Sequence, residues 1–113
     1  MKPGKFNKIS DVKGVRVGHC TLNDKDMQTG VTVLMPVADD IFQNKCVAGC
    51  HIINGFGKTS GLVQLEELGT LESPIALTNT FSVGTVQQAL VKYMVNKDPD
   101  IGRESGTINT IVG

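Results

Sequence analysis

The sequence predicts a mixed α/β fold, and three of its features carry the prediction. Apolar and polar residues alternate between Gly14 and Met35, which is typical of β-strands. Apolar residues recur at helical spacing between Ser82 and Asn96, which indicates an amphipathic helix. The segment Thr107–Val112 consists of β-branched or strand-tolerant residues and favours a further strand. With 113 residues, of which 40% are apolar, the chain can bury a core.

The predicted elements begin with an antiparallel pair of strands. Val15 and Val17 alternate with Arg16 and His19 in the first strand. The stretch VTVLMP is the second strand, which Pro36 closes. The polar stretch NDKDMQTG between them is expected to turn the chain.

Two segments without clear periodicity follow the strand pair. Residues 37–45 are expected to form an irregular loop that keeps the acidic pair Asp39–Asp40 in solvent. The apolar stretch CVAGCHII is expected to run as an extended segment toward Ile53. Cys46 and Cys50 are interpreted as small buried residues within it.

A short helix and a strand are predicted next. Leu62, Leu65 and Leu68 recur every third residue in the stretch GLVQLEELG. Gly69 is well placed to end this helix as a C-cap. The stretch SPIALTNT is a compact apolar strand, whose start Pro74 fixes.

The best helix of the chain is predicted in the stretch SVGTVQQALVKYMVN. Its apolar residues fall on one face, because they recur at helical spacing: Val83, Val86, Leu90 and Met94. Ser82 is predicted to cap its N-terminus. Pro99 stops the helix, because proline cannot continue the hydrogen-bond ladder.

Composition limits the classes of partner. Lys plus Arg and Asp plus Glu number 11 each, so a net charge of zero gives no reason to expect nucleic acid or an anionic membrane. No stretch approaches the ~20 apolar residues of a membrane helix, and no apolar run follows the N-terminal lysines as in a signal peptide. An odd number of cysteines, 3, favours reduced thiols. We therefore expect a cytoplasmic protein.

The glycine-rich stretch NGFGKTSG invites comparison with a phosphate-binding loop. The pattern G-x-x-x-x-G-K-[ST] requires a glycine where this chain has Ile52. The dinucleotide pattern G-x-G-x-x-G also fails, because Gly61 comes one position late. Two interpretations remain for this stretch. It is a tight turn between a strand and a helix, or its N–H groups at the helix start bind a substrate carboxylate or carbonyl.

No metal site and no catalytic serine is predicted from the residues. Cys46, Cys50 and His51 form the pattern C-x-x-x-C-H, but adjacent residues of a strand point to opposite faces, which works against shared ligation. None of the serines weighed as nucleophiles lies in a G-x-S-x-G elbow: Ser60, Ser82 and Ser105. The residues alone therefore indicate a soluble α/β protein with a glycine-rich loop.

The stretches ISDVKGVRVGHCTL, TGVTVLMP and VAGCHIINGFGKTSGLVQLEELGTLESPIALTNTFSVGTVQQALVKY follow one another along the chain. The most specific pieces are INGFGKTSG with EELG, and PIALTNT followed by SVG. In this order they resemble the L-aminopeptidase/D-esterase family, also called the DmpA-like or β-aminopeptidase family. The resemblance covers the chain from Ile9 onward.

The resemblance implies a fold and an activity. Family members are hydrolases that release N-terminal residues from peptides, amides or esters. They fold as a four-layer αββα sandwich similar to that of N-terminal-nucleophile hydrolases. Their precursor cuts itself before a Ser or Thr, whose hydroxyl attacks the substrate while its own α-amino group acts as base. An Asn and backbone N–H groups stabilise the oxyanion, no metal or organic cofactor is required, and members form oligomers.

In the family, the self-cleavage site, the nucleophile and the oxyanion Asn lie downstream of the region matched by this chain. We therefore expect residues 1–113 to be one N-terminal portion of such a hydrolase, truncated before the self-cleavage site. Its sandwich would be incomplete, and it would have no catalytic residue and no peptidase activity of its own. A small peptide, amide or ester would be the substrate of the complete enzyme. Exposed sheet edges predict homo-oligomers. The alternative is a non-catalytic oligomerising or binding module that reuses this half-fold.

Candidate substrate-binding residues lie in loops that follow predicted strands, where α/β sheets tend to place ligands. They are Asn54, Gly55, Phe56, Gly57, Thr78 and Asn79. The other interpretation of the same residues is that they form turns and strand ends.

Overall fold

Within residues 2–113, six strands and two α-helices form a mixed α/β structure, as the sequence predicts. A computed structural model describes residues 2–113. A short 3-10 helix, Ile9–Asp11, precedes the other elements. These are β1 (Arg16–Asp24), β2 (Met27–Met35), β3 (Cys46–Val47), α1 (Leu62–Leu68), β4 (Thr70–Leu71), β5 (Ile75–Thr78), α2 (Val83–Lys97) and β6 (Ile111–Val112).

The predicted strand pair is confirmed, with β1 and β2 forming an antiparallel hairpin. The turn is shorter than the polar stretch NDKDMQTG, because pairing continues to Asp24 opposite Met27. Only Lys25 and Asp26 connect the strands, and Lys25 adopts a φ of 50°. Polar side chains do not end a strand here, because the backbone groups of both strands still pair with each other.

A four-stranded sheet contains the hairpin, in the order β1-β2-β5-β6. β5 lies antiparallel to β2, and β6 lies parallel to β5. Parallel neighbours require a crossover connection, which α2 supplies. No helix within residues 2–113 has the length and apolarity needed to cross a bilayer.

Helix α2 covers one face of this sheet. All four residues of its predicted apolar face are buried: Val83, Val86, Leu90 and Met94. The first three pack with Ala76 and Val112, which are inaccessible to solvent. The helical period of the sequence therefore identified the face that packs on the sheet.

A second apolar cluster lies where the connecting segments meet the end of α2. It contains Ile41, Phe42, Leu65, Leu71, Met94, Ile101 and Ile111. The prediction of an irregular solvated loop over residues 37–45 is therefore incomplete, since Ile41 and Phe42 are only 2% and 6% exposed. The Asp40 carboxylate shapes this segment by accepting N–H groups of Phe42 at 2.9 Å and Gln43 at 3.3 Å.

The extended segment predicted from CVAGCHII is wrong beyond its first residues. β3 ends at Val47 and pairs with β4, a strand that the sequence did not reveal. Ile52 and Ile53 are 62% and 89% exposed, and Cys50 is exposed rather than buried. The strand propensity of residues 48–53 did not produce a strand, because no strand in the described part of the chain lies beside them to provide a packed surface. The last strand is likewise shorter than Thr107–Val112 and consists of Ile111–Val112 alone.

Candidate functional site

The carboxyl ends of the parallel strands β5 and β6 form the framework of the candidate site. The N–H of Gly113 donates to Ala76 O at 2.9 Å, and the N–H of Thr78 donates to Gly113 O at 2.8 Å. On the other side of β6, Ser60 and Val112 exchange two backbone hydrogen bonds of 2.9 and 3.3 Å. Because this bridge is antiparallel, the residues preceding Ser60 run toward Gly113.

This connectivity brings both groups of predicted site residues toward one end of the sheet. Thr78 and Asn79 end β5, and the loop 54–57 leads to Ser60 along the other side of β6. Among the described residues, no hydrogen bond joins the loop 54–57 to Thr78 or Asn79. The two groups thus lie at the same end of the sheet, and no hydrogen bond joins them in the described part of the chain.

The loop 54–57 is exposed and held by its own contacts. Asn54 Oδ1 accepts the N–H of Phe56 at 3.0 Å, and Lys58 Nζ donates to Phe56 O at 2.7 Å. The Lys58 ammonium also lies 4.6 Å from the centre of the Phe56 ring, which is 80% exposed. Lys58, the lysine of the apparent phosphate-binding pattern, thus contacts the loop itself through Phe56.

Gly61, which connects this loop to α1, is the glycine whose position excludes a side chain. Gly61 has a φ of 83°, a region that other residues avoid, and a Cβ there would collide with the carbonyl oxygen of Thr110. Gly55 and Gly57 have open space where a Cβ would stand. The close backbone approach therefore occurs at Gly61, next to β6.

Thr78 is half-buried, and its side chain ties β5 to β2. Its Oγ1 donates to Gly30 O at 3.1 Å. The hydroxyl hydrogen of Thr78 is therefore used in this bond and is not free to donate to a ligand. A substrate would meet the side chain of Thr78 as an acceptor or as an apolar methyl contact.

Asn79, rather than Ser82, forms the side-chain hydrogen bonds to backbone N–H groups in the turn that leads into α2. Its Oδ1 accepts the N–H groups of Phe81 at 3.0 Å and Ser82 at 3.1 Å, while its Nδ2 donates to Ser82 Oγ at 3.0 Å and also to Thr29 Oγ1. Ser82 occupies the N-cap position of α2, as predicted, but it has helical backbone angles and its side chain makes no capping hydrogen bond. Bonds from an Asn side chain to N–H groups two and three residues further on are a common way to fix a turn, and here they fix the turn that precedes the helix.

The serines and histidines of the described chain do not assemble into a nucleophile–base pair. Ser105 Oγ donates to Asp100 O at 3.0 Å, and His19 Nδ1 lies 2.9 Å from Thr32 Oγ1. No hydrogen bond within residues 2–113 connects a serine hydroxyl to either imidazole. The same part of the chain contains no group of three or more His, Cys, Asp or Glu placed to hold a metal.

A buried polar cluster lies beside β6, and the sequence does not predict it. The Glu72 side chain, 7% exposed, accepts the N–H of Asn109 at 3.0 Å and its side-chain amide at 3.3 Å through one oxygen. Ser73 Oγ accepts the N–H of Ile111 at 3.2 Å. Thr110 Oγ1 is buried without a hydrogen-bond partner. These contacts fix the chain entering β6, and no local motif announces them because their partners are 37 or 38 residues apart.

The fold and the sequence can be compared with those of known proteins. The model of peptidase family S58 matches residues 7–113. The β-peptidyl aminopeptidase BapA of Sphingosinicella xenopeptidilytica is 37% identical over 107 residues, which are 87% of this chain and 26% of the relative. The chain thus spans about a quarter of the length of the curated relatives that it matches.

Two solved structures share the architecture. A β-aminopeptidase of Burkholderia sp. is 44% identical with a TM-score of 0.89, over 98% of this chain and 32% of that one. The L-aminopeptidase D-Ala-esterase/amidase of Ochrobactrum anthropi, a serine aminopeptidase with a variant Ntn hydrolase fold, is 28% identical with a TM-score of 0.83, over 98% of this chain and 33% of that one. The predicted architecture, part of an N-terminal-nucleophile type of fold, is confirmed. The chain belongs to peptidase family S58.

Proposed function

We propose that this chain forms the N-terminal part of an aminopeptidase or amidase-esterase that releases N-terminal amino acids from peptides, amides or esters. One observation supports this most directly. Over 98% of its length the chain matches a β-aminopeptidase structure with a TM-score of 0.89 at 44% identity. Identity at this level over an entire matched region makes a shared role in the same kind of enzyme the simplest inference.

In this proposal, the candidate site contributes to substrate binding rather than to bond cleavage. The loop 54–57 and the residues Thr78 and Asn79 lie toward the carboxyl ends of β5 and β6, where α/β sheets commonly bind ligands. The loop is exposed, and its Phe56 ring offers an apolar surface. It would contact the side chain or the backbone of a small peptide substrate.

The nucleophile would come from a part of the complete enzyme other than residues 2–113. This is supported by the serine hydroxyl groups of the described chain, since none of them forms a hydrogen bond with a histidine. In an N-terminal-nucleophile enzyme, self-cleavage exposes a Ser or Thr whose hydroxyl oxygen attacks the substrate carbonyl while its α-amino group takes the proton. We expect such chemistry in the complete enzyme, without a metal or organic cofactor, and no hydrolysis by the 113 residues alone.

A chimera tests this function. Residues 1–113 would replace the matched third of the Burkholderia β-aminopeptidase, and hydrolysis of aminoacyl p-nitroanilides would be measured for the chimera and for the isolated chain. We expect a chimera that processes itself and hydrolyses these substrates, beside an isolated chain without activity. A chimera that shows a cooperative thermal transition but no hydrolysis would contradict the role in catalysis. Hydrolysis by the isolated chain, with contaminants excluded, would contradict the placement of the nucleophile elsewhere.

The second candidate, a non-catalytic oligomerising module, has one observation in its favour. β1 lies at the edge of the four-stranded sheet and offers its outer backbone groups for pairing. A folded but inactive chimera together with a self-associating isolated chain would favour this module over the enzyme part.

A further inference from the structure

Lys58 carries the only formal charge in the two stretches of sequence that contain the candidate site. No other Asp, Glu, Lys or Arg occurs in residues 46–65, and none occurs in residues 73–91. The loop 54–57 belongs to the first stretch, and Thr78 and Asn79 belong to the second. At neutral pH, the charge that these stretches bring to the candidate site is therefore positive.

The contacts of Lys58 hold its ammonium group in place without neutralising it. Nζ donates to Phe56 O at 2.7 Å and lies 4.6 Å from the centre of the Phe56 ring. Both partners are uncharged. Since an ammonium group has three N–H donors, this geometry leaves two of them for a ligand.

The backbone places Lys58 at the end of the sheet where the proposed function places the substrate. Ser60, two residues further along, exchanges two backbone hydrogen bonds with Val112 in β6. Two residues of chain span at most ~7 Å. Lys58 therefore lies close to the carboxyl end of β6, where Gly113 bonds to Thr78 at the end of β5.

The charge of Lys58 distinguishes between the two ends of a peptide substrate. Every substrate of an aminopeptidase carries an N-terminal ammonium group, which a lysine repels. A carboxylate is attracted instead, and it can accept both of the remaining N–H donors in charge-assisted hydrogen bonds. In a peptide of two or three residues, the C-terminal carboxylate is close to the bond that is cut, because an extended chain rises only ~3.3 Å per residue. An acidic side chain at the N-terminal residue offers the same group.

We propose that Lys58 binds a carboxylate of the substrate in the complete enzyme, a role that rests on the proposed function. Peptides with a carboxylate near the cleaved bond are then better substrates than the corresponding amides. The carboxylate is not a reacting group, so Lys58 attracts it equally before and during the reaction. Lys58 therefore lowers KM without raising kcat and determines specificity rather than bond cleavage.

Substrate pairs that differ only in one carboxylate test this role. In the Burkholderia chimera, L-Ala-L-Ala would be compared with L-Ala-L-Ala amide, and the p-nitroanilide of Asp with that of Asn. In at least one pair, the acid should have a kcat/KM about fivefold higher than its neutral counterpart, through a lower KM. The pair that shows this difference identifies the source of the carboxylate, either the C-terminus or a side chain.

Substitutions of Lys58 assign the preference to this side chain. Lys58→Gln should abolish it, Lys58→Glu should reverse it, and Lys58→Arg should keep it. Lys45→Gln is the matched control. Lys45 Nζ donates to Phe42 O at 3.0 Å and lies 4.7 Å from the Phe42 ring, so it makes the same two contacts at a position before β3. Its replacement changes the net charge equally and should leave the preference in place.

A second chimera makes the test independent of how well the larger graft folds. Here only residues 54–58 replace the matched loop of the Burkholderia enzyme, with and without Lys58→Gln. If either chimera hydrolyses Ala p-nitroanilide but shows no carboxylate preference, or shows one that Lys58→Gln leaves intact, the role of Lys58 is overturned while the proposed function stands. A folded larger chimera that hydrolyses none of the substrates would overturn the proposed function and the role of Lys58 together.

Discussion

The amide of Asn79 holds Ser82 at the start of α2 through two hydrogen bonds. Asn79 Oδ1 accepts the Ser82 N–H at 3.1 Å and the Phe81 N–H at 3.0 Å, and Asn79 Nδ2 donates to Ser82 Oγ at 3.0 Å. The same amide reaches Thr29 Oγ1 in β2. One side chain thus connects the end of β5, the start of α2 and the neighbouring strand.

Asn79→Ala should therefore destabilise the chain more than Ser82→Ala. Removing the Asn79 side chain leaves the Phe81 N–H without a partner and cuts the links to Ser82 Oγ and to β2, although the Ser82 N–H keeps the backbone oxygen of residue 79 as an acceptor at 3.0 Å. The expected cost is about 1–2 kcal/mol in the free energy of unfolding. Ser82→Ala removes a hydroxyl that caps nothing and should cost about 0.5 kcal/mol or less. Urea unfolding followed by circular dichroism measures both values. Equal costs, or a larger cost for Ser82→Ala, would contradict the role of the Asn79 side chain in connecting the turn to β2.

Gly61→Ala should destabilise the chain strongly because of both its backbone angle and its surroundings. A non-glycine residue at a φ of 83° costs about 1–2 kcal/mol, and the collision of its Cβ with the Thr110 carbonyl adds about 1–3 kcal/mol of overpacking. The matched control is Gly84→Ala in the first turn of α2, where nothing lies within 4 Å of the added carbon. That change should stabilise the helix by up to about 1 kcal/mol. Thermal unfolding of the two variants should therefore shift in opposite directions.

The sequence predicted the elements whose signals are local. The face of α2 followed from the helical spacing of Val83 and Leu90, and the hairpin followed from alternation, because each pattern records how one element meets the core. Burial of Ile41 was not predictable in the same way, since its partners come from distant segments. The hydrogen bonds of Glu72 to Asn109 likewise connect residues 37 positions apart. The sequence placed the candidate site residues in loops after strands. It could not predict the hydrogen bond from Asn79 to Thr29 in β2, because the two residues are far apart in the sequence.

Asp98→Ala should loosen the end of α2, because its carboxylate joins two parts of the chain. Asp98 Oδ2 accepts from Gln43 Nε2 at 2.7 Å, and Oδ1 accepts the N–H of Asp100 at 3.1 Å. Since the residue is only 9% exposed, losing these bonds should cost about 1–3 kcal/mol in the free energy of unfolding. Asp100→Ala is the matched control, because Asp100 is exposed and uses its backbone rather than its side chain. It should change stability by about 0.5 kcal/mol or less. Denaturant midpoints that shift equally for both variants would refute the bridging role of Asp98.

Substitution in the loop 54–57 should separate substrate binding from stability. Asn54 Oδ1 fixes the turn by accepting the Phe56 N–H at 3.0 Å, yet the loop is exposed and packs on no core residue. Asn54→Ala should therefore change the free energy of unfolding by about 0.5 kcal/mol or less.

The same substitution should weaken substrate binding if the loop forms part of the site. In the Burkholderia chimera, KM for an aminoacyl p-nitroanilide should rise about fivefold while kcat stays nearly unchanged. The loop would contact the substrate equally in the ground state and in the transition state. Loss of the hydrogen bond that orders it should therefore weaken both complexes by about 1 kcal/mol. Glu67→Ala on the exposed side of α1 is the control and should leave both constants in place. An unchanged KM for Asn54→Ala would remove the loop from the substrate-binding site, and a fall in kcat at constant KM would instead give it a role in the transition state.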